Sequence, residues 1–400
     1  MKIAFLMYSF IPKMGGAQIF AYNLINQLSA NNHEVHLYLP YKSYLQFKKL
    51  GDVNNYKVIP ILRHENFTAK YWPGLIRLRL MLAQKFQKYD VWQVIGAYPA
   101  GWVTKDLTSK VPIILRSHGD DIQKNAILQY GLALNPTINQ RISKTLNKVT
   151  HLVALTRTVE QCYIDFGVQK SRITEIHNGV NIENFDQNVD VENERKKLSI
   201  GKNQIFILSV GRYHKKKGYE FIPEALKLLI SEGHDVVWVI VGKKVSLLEN
   251  NFKKLGLESS VKLIEEIGSD TRSFSNLNFP SDDLIRLYKS ADIFVMPSLL
   301  ETFGMILLEA MASKLPVVST NAPGCRDVVQ HGKTGLVVTT SNSEALSKAI
   351  KIIIKDKNLN LKSKLVSNAY KFAKDHDWDK ITGQYESLYK NILNRKEDKK

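Results

Sequence analysis

The sequence predicts an α/β protein built from two doubly wound parallel sheets. Three observations carry this reading. The chain has 400 residues, 44% of them hydrophobic, too long for one core and suited to two domains. Short apolar runs alternate with stretches whose apolar residues recur at helical spacing, which is the βαβ signature. The alternation then halts in a polar, Asn-rich stretch and starts again.

The first run, "KIAFLMY" (2–8), reads as a buried strand. It follows a single lysine, as the apolar part of a signal peptide would. No small-residue cleavage site follows, and Pro12 and the pair Gly15-Gly16 come at once, which suits a strand and its loop. "AQIFAYNLINQLSANN" (17–32) has apolar spacing near 3.6 and reads as a helix stopped at Asn31-Asn32. Strands are predicted at 34–40, 91–96, 112–118 and 151–156. The stretch 180–203 is polar and reads as a linker. Beyond it come a strand at 204–212, a helix at 218–233, and strands at 236–242, 261–266, 292–298, 315–320 and 335–338. Open parallel sheets bind ligands beyond the carboxyl ends of their strands, so two facing sheets would hold a ligand in the cleft between them.

The formal net charge is +18 and the isoelectric point near 9.5, a field that favours anionic partners. No helix-turn-helix, zinc or RNA-recognition pattern occurs, which argues against nucleic acid. Cys162 and Cys325 stand alone and far apart, with no disulfide framework or zinc-ligand spacing; a reducing, cytoplasmic location is expected. No run of about 18 apolar residues could cross a membrane.

Four segments could carry chemistry. In "FIPKMGGAQ" (10–18), Gly15 and Gly16 lie between a strand and a helix, where backbone N–H groups can approach an anion. The plainer alternative is a turn without ligand. In "VGRYHKKKGYE" (210–220), Arg212 and Lys217 follow a strand and suit a diphosphate, the first as a planar fork and the second as a point charge. His214, Lys215 and Lys216 read as a partly solvated basic loop. In "RSHGDD" (116–121), His118 could donate to a phosphate or a sugar hydroxyl or be structural, and Asp120 and Asp121 could cap the segment that follows.

The fourth segment, "ETFGMILLEAMAS" (301–313), is greasy yet holds two carboxylates. Glu301 falls in the loop after a buried strand and Glu309 on a helix starting near Gly304. Carboxylates accept two hydroxyls at once, so vicinal diols of a sugar or ribose are natural partners. In the absence of such a ligand both carboxylates are expected to be solvated. Asp327, further on, is expected to cap or orient a helix.

These segments, in this order, resemble the retaining GT-B glycosyltransferases of glycosyltransferase family 4. The E-x7-E pattern is Glu301 to Glu309, "GRYHKKKG" resembles the family's G-R-x4-K-G loop, and "HNGVN" (177–181) its interdomain crossover. "GKTGLVV" (332–338) and "DWDKITGQYESLY" (377–389) resemble a late turn and the terminal helix that returns to the first domain. "APGCRDVV" and the long stretch 268–283 depart from the usual family forms. The resemblance implies an N-terminal acceptor-side domain (1–180), a nucleotide-sugar domain (181–375) and a returning helix (376–400). It implies that Arg212 and Lys217 hold the donor diphosphate, Glu301 the transferred sugar, and Glu309 the ribose. Backbone amides around Phe303 and Gly304 would help Glu301, Gly15 and Gly16 would approach the diphosphate, and His118 would lie by the sugar.

No metal or other cofactor is expected, because these cations and amides would do its work. The donor expected is a UDP- or GDP-linked sugar and the acceptor a glycan or lipid-linked glycan, as in cell-surface polysaccharide or lipopolysaccharide assembly. The stretch 67–88 mixes Lys70, Tyr71, Trp72, Arg77 and Arg79 with leucines, and could lie on anionic lipid at the inner face of the cell membrane or pack on its own sheet. Two other readings stay open: a nucleotide-sugar epimerase of the same shape, and a non-catalytic nucleotide-sugar-binding subunit.

Overall fold

The computed structural model describes residues 1–13, 15–51, 55–62, 72–265, 279–356 and 360–397. It divides into two compact units. The described residues of Met1–Asn178 and Trp378–Lys400 form one, and those of Gly179–Ser269 and Asn278–Asp377 form the other.

The first unit is built on a seven-stranded sheet, β1 (Lys2–Leu6), β2 (Glu34–Leu39), β3 (Lys57–Pro60), β4 (Val91–Ile95), β5 (Ile113–Arg116), β6 (His151–Ala154) and β7 (Ile173–Glu175), in the order β3-β2-β1-β4-β5-β6-β7. Every pairing is parallel. Strands β4, β5 and β6 are buried along their whole length, as expected of a sheet covered on both faces. Sequence reading missed β3 and β7. Both are edge strands of three or four residues and only partly buried, so neither carries the apolar run by which a strand is recognised. Pro60 ends β3, where an edge tolerates the missing N–H.

The helix Gly16–Ala30 buries Phe20, Ala21, Leu24, Ile25 and Leu28, one face at helical spacing. The C-terminal helix Trp378–Glu397 belongs to the same unit and sets Trp378 and Tyr385 against Phe20, both with ring centroids 5.8 Å away. Arg116 ties these parts together. It is fully buried at the end of β5, where its guanidinium donates to the Ile176 carbonyl at 3.0 Å, the Tyr385 hydroxyl at 2.5 Å and Asn178 Oδ1 at 2.6 Å. Its flat face lies 3.9 Å from the centre of the Phe20 ring. Among the described residues no carboxylate pairs with Arg116; carbonyl, amide and phenol oxygens and a π-face share its charge.

The second unit has a six-stranded parallel sheet, β8 (Ile205–Val210), β9 (Val236–Val241), β10 (Val261–Ile264), β11 (Ile293–Met296), β12 (Val317–Thr320) and β13 (Leu336–Val338), ordered β10-β9-β8-β11-β12-β13. Trp238, Leu226, Leu229, Phe252 and Ile350 are among its fully buried core. The predicted helix at 218–233 enters through single turns of 3-10 helix, Lys215–Lys217 and Tyr219–Phe221, and becomes α-helical over Ile222–Ser231. The stretch read as a linker is part of this unit. It carries a short helix, Val191–Lys197, which buries none of its residues and so shows no apolar period. Polar bonds hold it instead: Arg195 donates to the Gln204 carbonyl and to Asp292, and Lys289 to the Phe185 and Gln187 carbonyls.

Removing the phenol oxygen that receives Arg116 leaves a buried guanidinium N–H unsatisfied. Tyr385→Phe is therefore expected to lower stability by about 1–3 kcal/mol in urea unfolding. An unchanged midpoint would show that Arg116 does not need this acceptor.

Candidate active site at the carboxyl ends of the strands

In the second unit the strand order reverses between β8 and β11, and the chain leaves their carboxyl ends in two neighbouring loops. The loop after β8 is 211–218. Gly218 stands at φ +65°, and a Cβ there would come within 2.0 Å of the Pro297 carbonyl oxygen, so only glycine lets the basic loop lie on the start of the β11 loop. Backbone bonds close the contact, with Leu299 N–H donating to the Lys216 carbonyl at 2.7 Å.

This contact delivers Lys217 to Glu301. The ammonium donates to Glu301 Oε1 at 2.5 Å, and Lys216 Nζ stands 3.7 Å from Oε2. Glu301 is 6% exposed, and burial works against its charge; the two lysines outweigh that and hold the carboxyl down to about 2. Lys216 was read as part of a solvated loop, but it is buried and serves as a second cation on Glu301. A three-lysine run has no periodicity by which to single it out. Arg212, by contrast, is exposed, and among the described residues no ion pair neutralises it.

The β11 loop is itself held from behind. Glu301 N–H donates to the Pro323 carbonyl at 3.0 Å. Gly324, at φ +82°, passes so close that a Cβ would lie 2.4 Å from the Glu301 carbonyl oxygen. Phe303 is fully buried, and Gly304, at φ +80°, opens the helix Met305–Ala312 with no side-chain cap on its first-turn amides. Asp327 lies in the first turn of a short helix, Cys325–Val328, that follows Gly324.

Glu309 sits on the Met305–Ala312 helix, 7% exposed among buried Leu307, Leu308, Ala310 and Met311. One oxygen accepts the Tyr288 hydroxyl at 2.9 Å. Burial pushes this carboxyl up to about 7, with the Tyr288 bond acting the other way. Both carboxylates were expected to be solvated without a ligand, and neither is. The cost of burial is met by lysines for one and by a phenol for the other. Tyr219 lies near Glu301: its hydroxyl donates to the Gly211 carbonyl at 3.2 Å, and burial and the Glu301 charge push its phenol up.

In the first unit, the sheet order reverses between β1 and β4. Gly15 caps the helix Gly16–Ala30 and receives Gln18 and Ile19 N–H on its carbonyl, both at 3.0 Å. The loop after β5 carries His118, whose ring lies 5.0 Å from the Phe20 ring. Burial, then the Arg116 charge, push its imidazole well below the usual range, so it is neutral at pH 7. Asp121 does not cap the chain ahead of it. Its carboxylate turns back to accept from Ala97, His118 and Gly119 N–H at 2.7, 3.0 and 3.1 Å, binding the β4 loop to the β5 loop.

The helix Pro73–Gln87 of the same unit buries Ile76, Leu80 and Ala83. Trp72, Leu75, Leu78, Leu82 and Phe86 are exposed, Phe86 to 72%, at spacings that place them on one outward stripe. Arg79, Lys85 and Lys88 are exposed beside them. Lys70 and Tyr71, and most of the stretch 268–283, lie outside the described residues. Among the described residues no helix is long and apolar enough to cross a membrane.

Two parallel sheets in the doubly wound order, with switch points carrying these loops, are those of the GT-B glycosyltransferases. HepE of Anabaena, solved with UDP and glucose, shows the same fold with a TM-score of 0.76 at 20% identity, over 98% of this chain and all of that one. Residues 14–184 match Glycosyltransferase Family 4, and residues 190–372 match Glycosyl transferases group 1. The chain belongs to this family and is a glycosyltransferase. An uncharacterized glycosyltransferase of Methanocaldococcus jannaschii is 26% identical over 98% of both chains. The capsular polysaccharide biosynthesis glycosyltransferase CapM of Staphylococcus aureus is 28% identical over 62% of this chain and 64% of its own length.

The Glu301 carboxyl has a lower value in the fold than the ordinary 4.5 it regains on unfolding. Its pairing therefore stabilises the fold in full above that value and is lost as pH falls towards 2. The contribution is up to about 3 kcal/mol. Urea unfolding from pH 7 to pH 3 should show an acid loss in the native chain that Glu301→Gln flattens; parallel curves would refute the pairing.

Proposed function

We propose that the chain is a retaining hexosyltransferase that moves a hexose from a nucleotide-diphosphate sugar to a hydroxyl of a glycan or lipid-linked glycan. The observation that carries this is the meeting of Lys217, Lys216 and Glu301 at the β8–β11 switch point, with Arg212 exposed on the same loop. A diphosphate needs two or more cations, and a hexose needs a carboxylate that accepts hydroxyls. In this reading Arg212 and Lys217 take the diphosphate, Glu301 the hexose and Glu309 the ribose. The amides around Phe303 and Gly304 support the hexose. HepE, solved with UDP and glucose, supports a uridine donor, and CapM supports a place in capsular polysaccharide synthesis.

In the transfer the bond between the anomeric carbon and the diphosphate oxygen breaks. The acceptor oxygen bonds that carbon on the same face, and its proton passes to the departing phosphate. Arg212 and Lys217 stabilise the charge that develops there, the role a metal plays in other transferases. EDTA should therefore leave the rate unchanged.

A thermal-shift panel of UDP, GDP and ADP identifies the base, since a ligand bound to the fold raises Tm by mass action. Measured on folded protein well below Tm, Lys217→Ala and Glu309→Ala should each lower kcat/KM at least about 100-fold; Lys217→Ala also lowers Tm, since it takes the nearer cation from buried Glu301. An unchanged kcat/KM in both variants would end this assignment.

The outward stripe of the Pro73–Gln87 helix fits an anionic lipid surface: apolar side chains can enter the headgroup boundary while Arg79, Lys85 and Lys88 meet phosphates. Vesicles rich in phosphatidylglycerol should co-float the native chain but not a Leu78→Glu/Phe86→Glu variant. Equal flotation of the two would rule the stripe out as the contact.

A further inference from the structure

We propose that Tyr288 is a positioning residue for the nucleotide: its hydroxyl orients the Glu309 carboxylate so that it can accept both hydroxyls of a ribose. The inference rests on the reading of Glu309 as the ribose acceptor and adds the residue through which that grip is set.

Tyr288 comes from a different element, the helix Asp282–Ser290, which Ser281 caps through Leu284 N–H and which leads into β11. Its side chain is fully buried, and its ring packs on Phe294 of β11 with centroids 5.6 Å apart. A phenol so wedged has its hydroxyl direction set by the fold. That hydroxyl donates to Glu309 Oε2 at 2.9 Å and occupies one oxygen. A carboxylate has about four acceptor positions, so this bond still leaves room for two ribose hydroxyls.

Among the described residues no lysine or arginine is paired with Glu309. Lys217 and Lys216 are engaged on Glu301. The helix Asn360–Lys374 packs along Met305–Ala312 and carries Lys362, Lys364, Lys371 and Lys374, none of which acts on the Glu309 carboxyl. Tyr219 acts on Tyr288, not on Glu309. The phenol is thus the group that opposes burial at Glu309, whose carboxyl burial pushes up to about 7. A protonated carboxyl can accept fewer hydroxyls, so nucleotide affinity should fall as pH drops through that value. Loss of the phenol should move the fall to higher pH.

The test is calorimetric titration of the full chain with UDP and GDP, and separately with inorganic pyrophosphate, between pH 6 and pH 9. Tyr288→Phe is expected to weaken the nucleoside diphosphate at least about fivefold at pH 7, with recovery toward pH 9, while pyrophosphate affinity is unchanged. A merely structural tyrosine would weaken both ligands alike at every pH. In a Glu309→Gln background Tyr288→Phe should have no further effect. The inference is overturned if Glu309→Gln weakens the nucleotide and Tyr288→Phe does not, or if Tyr288→Phe weakens pyrophosphate equally. If Glu309→Gln itself leaves nucleotide binding unchanged, the ribose reading fails first and the role of Tyr288 with it.

Discussion

Every strand pairing in both sheets is parallel, and this constraint governs where chemistry can occur. Parallel strands deliver all their outgoing loops at one end of the sheet. Where the order reverses, two such loops leave in opposite directions and open a space that neither helix layer fills. In the second unit those loops belong to β8 and β11, and they bring Arg212, Lys217, Glu301 and the helix bearing Glu309. Residues far apart in the chain become neighbours through topology alone. The glycines make the approach close enough: Gly218 lies on Pro297, and Gly324 on the backbone of Glu301.

Within that frame one segment holds two carboxylates in opposite electrostatic states. Burial disfavours charge on both. Glu301 is held ionised by two ammonium groups, whereas Glu309 faces one neutral phenol and sits close to neutrality in its titration. The difference comes from which loop each one faces. A carboxylate locked in the charged state suits a constant task such as accepting hydroxyls beside the lysines that pair with it. One that titrates near pH 7 makes binding sensitive to the medium.

Much of this was legible in the sequence. The alternation of apolar runs located the buried strands, and the spacing of Phe20, Leu24 and Leu28 located the first helix. Arg212, Lys217 and Glu301 could be named because each lies in the loop after a strand, and Glu309 because it stands in a greasy helix, all in segments with family likeness. The edge strands β3 and β7 escaped because half-buried residues leave no apolar signature. The helix Val191–Lys197 escaped because it is held by polar bonds, not by an apolar face. The roles of Lys216, Tyr288 and Asp121 escaped for a third reason: each bonds a residue distant in sequence (Glu301, Glu309 and Ala97), and nothing local marks that partner. The state of the carboxylates was misjudged for the same reason, since solvation depends on neighbours that only the fold supplies.

The pairing of Lys217 with Glu301 has a consequence for a chain so rich in lysine. A loop bearing Arg212, Lys215, Lys216 and Lys217 would attract any passing anion if its charge stood bare. Glu301 supplies an internal counter-ion, tethered beside the ammonium at a high effective concentration. A monovalent anion must compete with it for one lysine and gains little. In the function proposed above, a diphosphate would take the exposed Arg212 and the lysine together and so release Glu301 to the sugar. On that proposal the resting ion pair is a selectivity filter, one that opens to the ligand able to replace it at both ends.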